Sequence, residues 1–408
     1  MNIGLLGFGK VGKFVAQLLL ESNQTLASEL QLKKIFVRDL QRKWEAPDHL
    51  LTTEVTDIIE NPQIDLVAEL IGGIDPAKSL IQTAINNGKH VVTANRPLIS
   101  LYGKELLDLA NQKSVYLTFE GSVGCGIPIL TSLQGLGCNK INRIIGILNG
   151  TCNFILTKMY TSGCSFSEAL DHAISLGLTE PNVKDDLEGL DAAQKLSILS
   201  LVGFQTQVDF HQIKTQGIAG ITKSDISYMK SLEFTPKQLA IISVDENNIL
   251  SFEVGPYLIH RTSPLFAIDG IVNTIFLEAD PVGPLMFYGK GVSPSATASA
   301  VIADIIAITR GSERWRNIQI NTVHTVNYTP QNQKKRFYIR LRANKNDYPL
   351  NLIMEKFGLR DLLFFRREGP EILLITEPLA EISLNKSMNC FHDNTFIEEM
   401  IRMPILDH

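Results

Sequence analysis

A chain of 408 residues, 44% hydrophobic and 20% charged, has enough apolar surface for two or three domains with proper cores. Its net charge of −5, without any dense run of Lys or Arg, argues against nucleic acid or an anionic membrane as partner. No apolar stretch reaches the roughly 18 residues that a membrane span needs.

The chain enters a strand-like run at Ile3, so no signal peptide is expected and a cytoplasmic location is. Cys125, Cys138, Cys152, Cys164 and Cys390 have no CxxC spacing and read as small buried hydrophobes in a reducing compartment. The eight histidines show no HxxxH pairing, which leaves a zinc site or a His-based triad without support.

Residues 1–20 read as strand, turn and helix, with Gly7-Phe8-Gly9-Lys10-Val11-Gly12 at the turn. A GxGxxG has weight where it closes an apolar strand and opens an amphipathic helix, and this one does both. Gly7 permits the tight turn, Gly9 lets a pyrophosphate approach the backbone, and Gly12 lets helix pack on strand. The next strand, 34–37, ends at Arg38-Asp39. An acid there favours NAD and a cation favours the 2′-phosphate of NADP. Arg38, Arg42 and Lys43 outnumber Asp39, so NADP is expected over NAD.

A strand at 65–70, the turn Ile71-Gly72-Gly73, a helix closed by Gly88 and a strand headed by His90 continue the alternation, which predicts a parallel doubly wound sheet. Glu120 to Pro128 forms a Gly-rich loop whose carbonyls, beside one carboxylate, suit a hard cation, although a loop of this kind is more often structural. Residues 146–153 form a second turn, opening an apolar helix with Asn149 or Thr151 as its cap.

Charge is concentrated between 177 and 204. Glu180, Asp185, Asp186 and Glu188 lie in a Pro-containing loop, and Gly189 leads into a helical run with no charged residue after Lys195. Asp191 precedes Lys195 by four positions, so the two share a helix face. The neighbours Ala192, Ile198 and Leu199 are apolar, unlike those of an ordinary surface ion pair. An ammonium so placed, with only carboxylates for company, suits proton transfer.

GLLGFGKVG, ELIGGIDPAKSLI, GKHVVTAN, FEGSVGCGIPI, GILNGTCNFIL, LGLTEPNVKDDLEGLDAAQKL and YGKGVSPSATASAVIAD follow one another through the first three quarters of the chain. In kind and order they resemble the motifs of the homoserine dehydrogenase family. That resemblance implies an NAD(P)-dependent oxidoreductase that interconverts L-homoserine and L-aspartate 4-semialdehyde by hydride transfer, in threonine and methionine biosynthesis. It implies a Rossmann domain at 1–128 and a mixed α/β catalytic and dimerisation domain at 129–310, in a homodimer or homotetramer.

By the same resemblance Lys195 and Asp186 are catalytic, and Glu180 and Asp191 contact substrate. Gly7, Phe8, Gly9, Val11, Gly12, Arg38, Arg96 and Gly291 belong to the cofactor site. A sodium ion would sit in the Glu120 loop on the carbonyls of Val123, Cys125 and Ile127. Arg96 stands where the family carries lysine, and Ser293-Pro294 and Ala296 also depart from its pattern. The alternative reading is a catalytically weak NADP-binding relative with a sensing or scaffolding role.

Residues 310–333 read as a polar linker. The remainder, 334–408, reads strand, helix, strand, strand, helix, and resembles a small ACT-like βαββαβ tail. The tail is degenerate: Lys345 and Tyr348 stand where the ACT ligand loop normally carries Asp and Gly.

Overall fold

Past Asn2 the first strand, β1 (Asn2–Leu6), is buried along its whole length, which suits the middle of a parallel sheet covered on both faces. The computed structural model describes residues 1–21, 29–179, 183–312, 324–328, 333–343, 349–359, 362–384 and 397–407. After β1 come α1 (Lys10–Glu21), β2 (Gln31–Phe36), β3 (Leu51–Thr52), α2 (Thr56–Ile59), β4 (Leu66–Glu69), α3 (Ala77–Asn86), β5 (His90–Thr93), α4 (Arg96–Gln112) and β6 (Leu117–Thr118). The six strands pair in parallel in the order β3-β2-β1-β4-β5-β6. The order reverses between β1 and β4, and a doubly wound sheet binds its ligand at that switch point.

The second unit runs α5 (Ile129–Gly135), β7 (Lys140–Ile147), α6 (Gly150–Ser162), α7 (Phe166–Ser175), α8 (Val183–Leu187), α9 (Leu190–Gly203), β8 (Lys214–Thr215), α10 (Lys223–Ser231), β9 (Phe234–Val244), β10 (Ile249–His260), β11 (Val272–Asp280) and β12 (Gly283–Lys290). Its mixed sheet has the order β12-β11-β7-β9-β10-β13. The last of these, β13 (Thr325–Asn327), lies within the segment expected to be a linker and pairs in parallel with the start of β10. A polar stretch can serve as an edge strand, because its outer side faces water. The acidic segment expected as a loop likewise contains a short helix, α8.

Before β13, α11 (Pro294–Thr309) turns back and packs on α1. Its Ala298, Val301, Ile305 and Ile308 join the core that holds Leu5 and Val15. Of the four described cysteines only Cys152 is buried; Cys138 is exposed in the turn after α5, and Cys125 and Cys164 are half-buried. The expectation of buried cysteines therefore holds for Cys152 alone, and Cys390 lies outside the described residues.

The C-terminal unit contains β14 (Lys334–Lys335), β15 (Phe337–Ala343), α12 (Leu350–Phe357), β16 (Leu362–Glu368), β17 (Glu371–Thr376), β18 (Leu379–Ala380), a helical turn at 381–384 and β19 (Ile397–Pro404). Its main sheet is antiparallel, in the order β16-β17-β15-β19. Tyr338, Leu373, Ile375 and Met403 share an apolar core with Ile155 and Met159 of α6 and Ile226 and Met229 of α10. Among the described residues no helix is long and apolar enough to cross a membrane.

Candidate active site

The turn after β1 opens one side of a cleft of ≈ 620 Å³, lined by Gly7, Phe8, Gly9, Lys10 and Lys13. Gly7 has φ +103°, and a Cβ there would lie 2.7 Å from the Leu70 carbonyl, so the position excludes any other residue. A Cβ on Gly12 would meet the Gly7 carbonyl oxygen at 2.2 Å, which places Gly12 in the seam between turn and helix. Gly9 has open space before it, at the N-terminus of α1, where backbone N–H groups and the helix dipole favour an anion.

The far wall of this cleft follows β2 and contains Arg38, Asp39, Arg42 and Trp44. Lys43 is exposed and does not line it, so the cationic group there is smaller than the count along the sequence suggested. Asp39 turns inward on its own loop: its carboxylate accepts the Gln41 N–H (2.8 Å) and its carbonyl accepts the Trp44 indole N–H (2.8 Å). Trp44 lies 5.6 Å from the Phe8 ring, and the Arg42 guanidinium sits 4.7 Å over its face.

A second pocket, ≈ 270 Å³, lies where loops of the first unit meet the β7–α6 turn and α9. It gathers Val11, Arg96, Cys125, Asn149, Asp186, Asp191, Lys195 and Gly291, all singled out in the sequence. A Cβ on Gly291 would come within 2.5 Å of the Asn273 side-chain oxygen, so the backbone there has no room for one. Glu180 lies outside the described residues.

Asp191 lies in the first turn of α9, and Lys195 follows one turn later with 8% of its surface exposed. Its ammonium donates to Asp191 Oδ2 (2.7 Å) and to the Leu148 carbonyl (2.6 Å), which uses two of its three protons. The other Asp191 oxygen takes Arg96 Nη1 at 2.8 Å, and Arg96 Nε also donates to Gln194 (3.2 Å). Burial works to raise the Asp191 carboxyl, but the Lys195 and Arg96 charges outweigh it and hold the group below the usual carboxylate range. Burial and the two aspartates push the Cys152 thiol well up, so it is no nucleophile.

The Glu120 loop has a different geometry from the one expected of a carboxylate ligand. Glu120 is buried, and its carboxylate accepts the Leu130 N–H (2.8 Å), the Thr131 N–H (2.8 Å) and the Thr131 hydroxyl (2.6 Å). It thereby satisfies the N-terminus of α5. Burial pushes its carboxyl up against the pull of these hydrogen bonds. Any cation in this loop would have to be held by carbonyls.

Comparison with known proteins points to one family along most of the chain. Residues 7–120 match the family model "Homoserine dehydrogenase, NAD binding domain", and residues 128–306 match "Homoserine dehydrogenase". A homoserine dehydrogenase of Bacillus subtilis is 33% identical, across 98% of this chain and 96% of its own. One from Synechocystis is 41% identical over 76% of this chain and 73% of its own. The crystal structure of a homoserine dehydrogenase from Thiobacillus denitrificans superposes with a TM-score of 0.92 at 32% identity, covering 100% of this chain and 98% of that one. A hyperthermophilic archaeal homoserine dehydrogenase in complex with NADPH matches 77% of this chain and 99% of its own, with a TM-score of 0.65 and 26% identity.

The chain belongs to the homoserine dehydrogenase family. It is an oxidoreductase of amino-acid biosynthesis that works on a small-molecule substrate with a nicotinamide cofactor. Two residues, Trp44 and Glu69, were not singled out in the sequence, and Asn149 was read there only as a helix cap. Trp44 carried only the signal of one aromatic in a polar run. Glu69, fully buried, accepts the Ile71 and Gly72 N–H groups (2.8 and 3.0 Å) and the Thr93 hydroxyl (2.7 Å), tying together the loops after β4 and β5. An acid closing an apolar strand before two glycines was the signal available for it. Asn149 does cap α6, through the Cys152 N–H (2.8 Å), but it also reaches two aspartates far along the chain.

Proposed function

We propose that Lys195 is the proton-transferring group of this homoserine dehydrogenase. Its hydrogen bond to the buried Asp191, in a pocket that also borders Gly291 and Val11, is the observation that carries the assignment. When bound, the nicotinamide cofactor supplies or accepts the hydride. Hydride arriving at an aldehyde carbon builds negative charge on the oxygen, and the Lys195 ammonium stabilises and then protonates it. In the opposite direction the neutral amine takes the alcohol proton. A guanidinium does not serve as a proton donor, so Arg96 orients Asp191 and the substrate without moving a proton. Asp186, with Glu180, supplies the counter-charge for the substrate's α-ammonium.

NADP is the cofactor preferred in this reading. Arg38 and Arg42 line the cleft beside Asp39, one of whose carboxylate oxygens accepts the Gln41 N–H, so cations outnumber the acid on that wall and favour an anionic 2′-phosphate over a bare ribose. A sodium ion in the 120–127 loop is held by the Val123, Cys125 and Ile127 carbonyls, the last of which already accepts the Ile129 N–H (2.8 Å). A second copy of the chain, in a homodimer or homotetramer, covers the outer strand β12, which exposes Met286 and Tyr288. The strand order of the C-terminal sheet and its helix between β15 and β16 support an ACT-like module. Lys345 and Tyr348 of its ligand loop lie outside the described residues.

Oxidation of L-homoserine, followed by nicotinamide absorbance with NAD and NADP in parallel, tests the whole reading. Turnover with a higher kcat/KM for NADP is expected. Turnover of other amino-acid alcohols in place of homoserine would overturn it.

A further inference from the structure

Asn149 sits between the two acids that the mechanism needs. Its amide nitrogen donates to Asp186 Oδ1 at 2.7 Å and to Asp191 Oδ2 at 2.9 Å, while its carbonyl oxygen accepts the Cys152 N–H at 2.8 Å. All three side chains are buried. The orientation of the amide follows from this network, since a flipped group would face two carboxylates with its oxygen and an N–H with its nitrogen. The Asp191 oxygen that Asn149 reaches is the same one that holds Lys195.

Two carboxylates drawn toward a single point repel each other unless a donor lies between them. Lys195 and Arg96 neutralise Asp191, and the Asn149 amide links that same carboxylate to Asp186. We propose that Asn149 is a positioning residue for the reaction: its one amide fixes Asp186 and Asp191 relative to each other, and so aims both the Lys195 ammonium and the substrate's amino end. The proposal rests on the assignment of Lys195 as the proton-transferring group. It requires more of Asn149 than capping, and the two roles can be separated because Asn, Asp and Ser cap helices about equally well. Asp keeps the shape and the cap but turns a donor into a third acceptor. Ser keeps the cap but is too short to bridge two carboxylates.

The test compares wild type, Asn149→Asp and Asn149→Ser in kcat and KM for L-homoserine, in cofactor affinity and in Tm. A misplacement on the scale of 1 Å costs on the order of 10²-fold in rate. Asn149→Ser is therefore expected to lose about 10²-fold in kcat/KM, with a raised KM and a lowered kcat, and Asn149→Asp is expected to lose more. Cofactor affinity should stay near wild type in both; Tm is expected to fall, more in Asn149→Asp, because the donor between the two buried carboxylates is lost, so kcat and KM are read well below the Tm of either variant. Wild-type kcat/KM in either variant would overturn the positioning role, and so would a loss that follows cofactor affinity alone. Both of those outcomes leave the dehydrogenase reading standing, since wild-type turnover in the same assay checks it separately.

Discussion

Arginine is a permanent cation and lysine can give up its proton, a difference that divides the labour around Asp191. One carboxylate oxygen carries Arg96 and the other carries Lys195 and Asn149, so removing Lys195 leaves Asp191 still paired and hydrogen-bonded. Lys195→Ala is therefore expected to fold with a Tm close to wild type and to bind cofactor normally. Its kcat for homoserine should fall by roughly 10²–10⁴, the usual loss of a general acid–base group. A drop in Tm with kcat retained would instead mark Lys195 as structural. Arg38 calls for a different comparison. It is exposed at the edge of the cleft, and in the proposed reading it makes a charge-assisted contact to the 2′-phosphate, worth about 1.5–3 kcal/mol. Arg38→Ala should raise the Kd for NADP roughly 10- to 150-fold while moving that for NAD little. Equal changes for both cofactors, measured by fluorescence titration, would place the 2′-phosphate elsewhere.

At the scale of the element, β15 shows what alternation reveals and what it hides. Phe337, Ile339 and Leu341 were legible as one buried face, and they pack beneath α12. The opposite face carries Tyr338 and Arg340, which the pattern assigns to water, yet both are buried against the second unit. Arg340 Nε donates to Asp225 at 2.8 Å, the Tyr338 hydroxyl donates to the same carboxylate at 2.8 Å, and Asp225 also closes the capping box of α10. Removing one partner of a buried ion pair leaves the other charge uncompensated. Arg340→Leu should therefore cost roughly 3–5 kcal/mol in urea unfolding. A loss below about 1 kcal/mol would mean that Tyr338 and the capping box satisfy Asp225 without it. The same limit applies to the site. The Gly7–Gly12 turn and the Asp191–Lys195 pair are local in sequence and could be read directly. The bonds from Asn149 span 37 and 42 residues, and Arg96 meets a helix from the other unit, so no local pattern announces them.

Across the whole molecule the C-terminal unit is joined to the second unit by a continuous core and by a group of charges, and this attachment bears on regulation and on acid stability. If the tail is the ACT-like module proposed above, Lys345 and Tyr348 stand where its ligand loop would carry Asp and Gly, and threonine is expected to leave the initial rate unchanged; a saturable inhibition would show that the tail still clamps an amino acid. Glu381 lies at the junction, where it accepts from Lys214 of β8 and, at 3.1 Å, from Arg402 of β19. Burial works to raise its carboxyl, but the hydrogen bond and charge of Lys214, followed by the charges of Arg402 and Lys335, prevail and hold it below the usual glutamate range. A carboxyl lowered by folding binds fewer protons in the native chain than in the unfolded one. Its contribution is therefore present above the ordinary glutamate range and is lost as pH falls through the depressed value. Glu381→Gln has no such titration. The gap in Tm between wild type and this variant, followed by calorimetry, should be widest near neutrality and narrow steadily once the pH passes below about 4.3. A gap that keeps the same size at every pH would mean that the variant loses packing at the junction and that the charges of Lys214 and Arg402 contribute nothing to holding the tail.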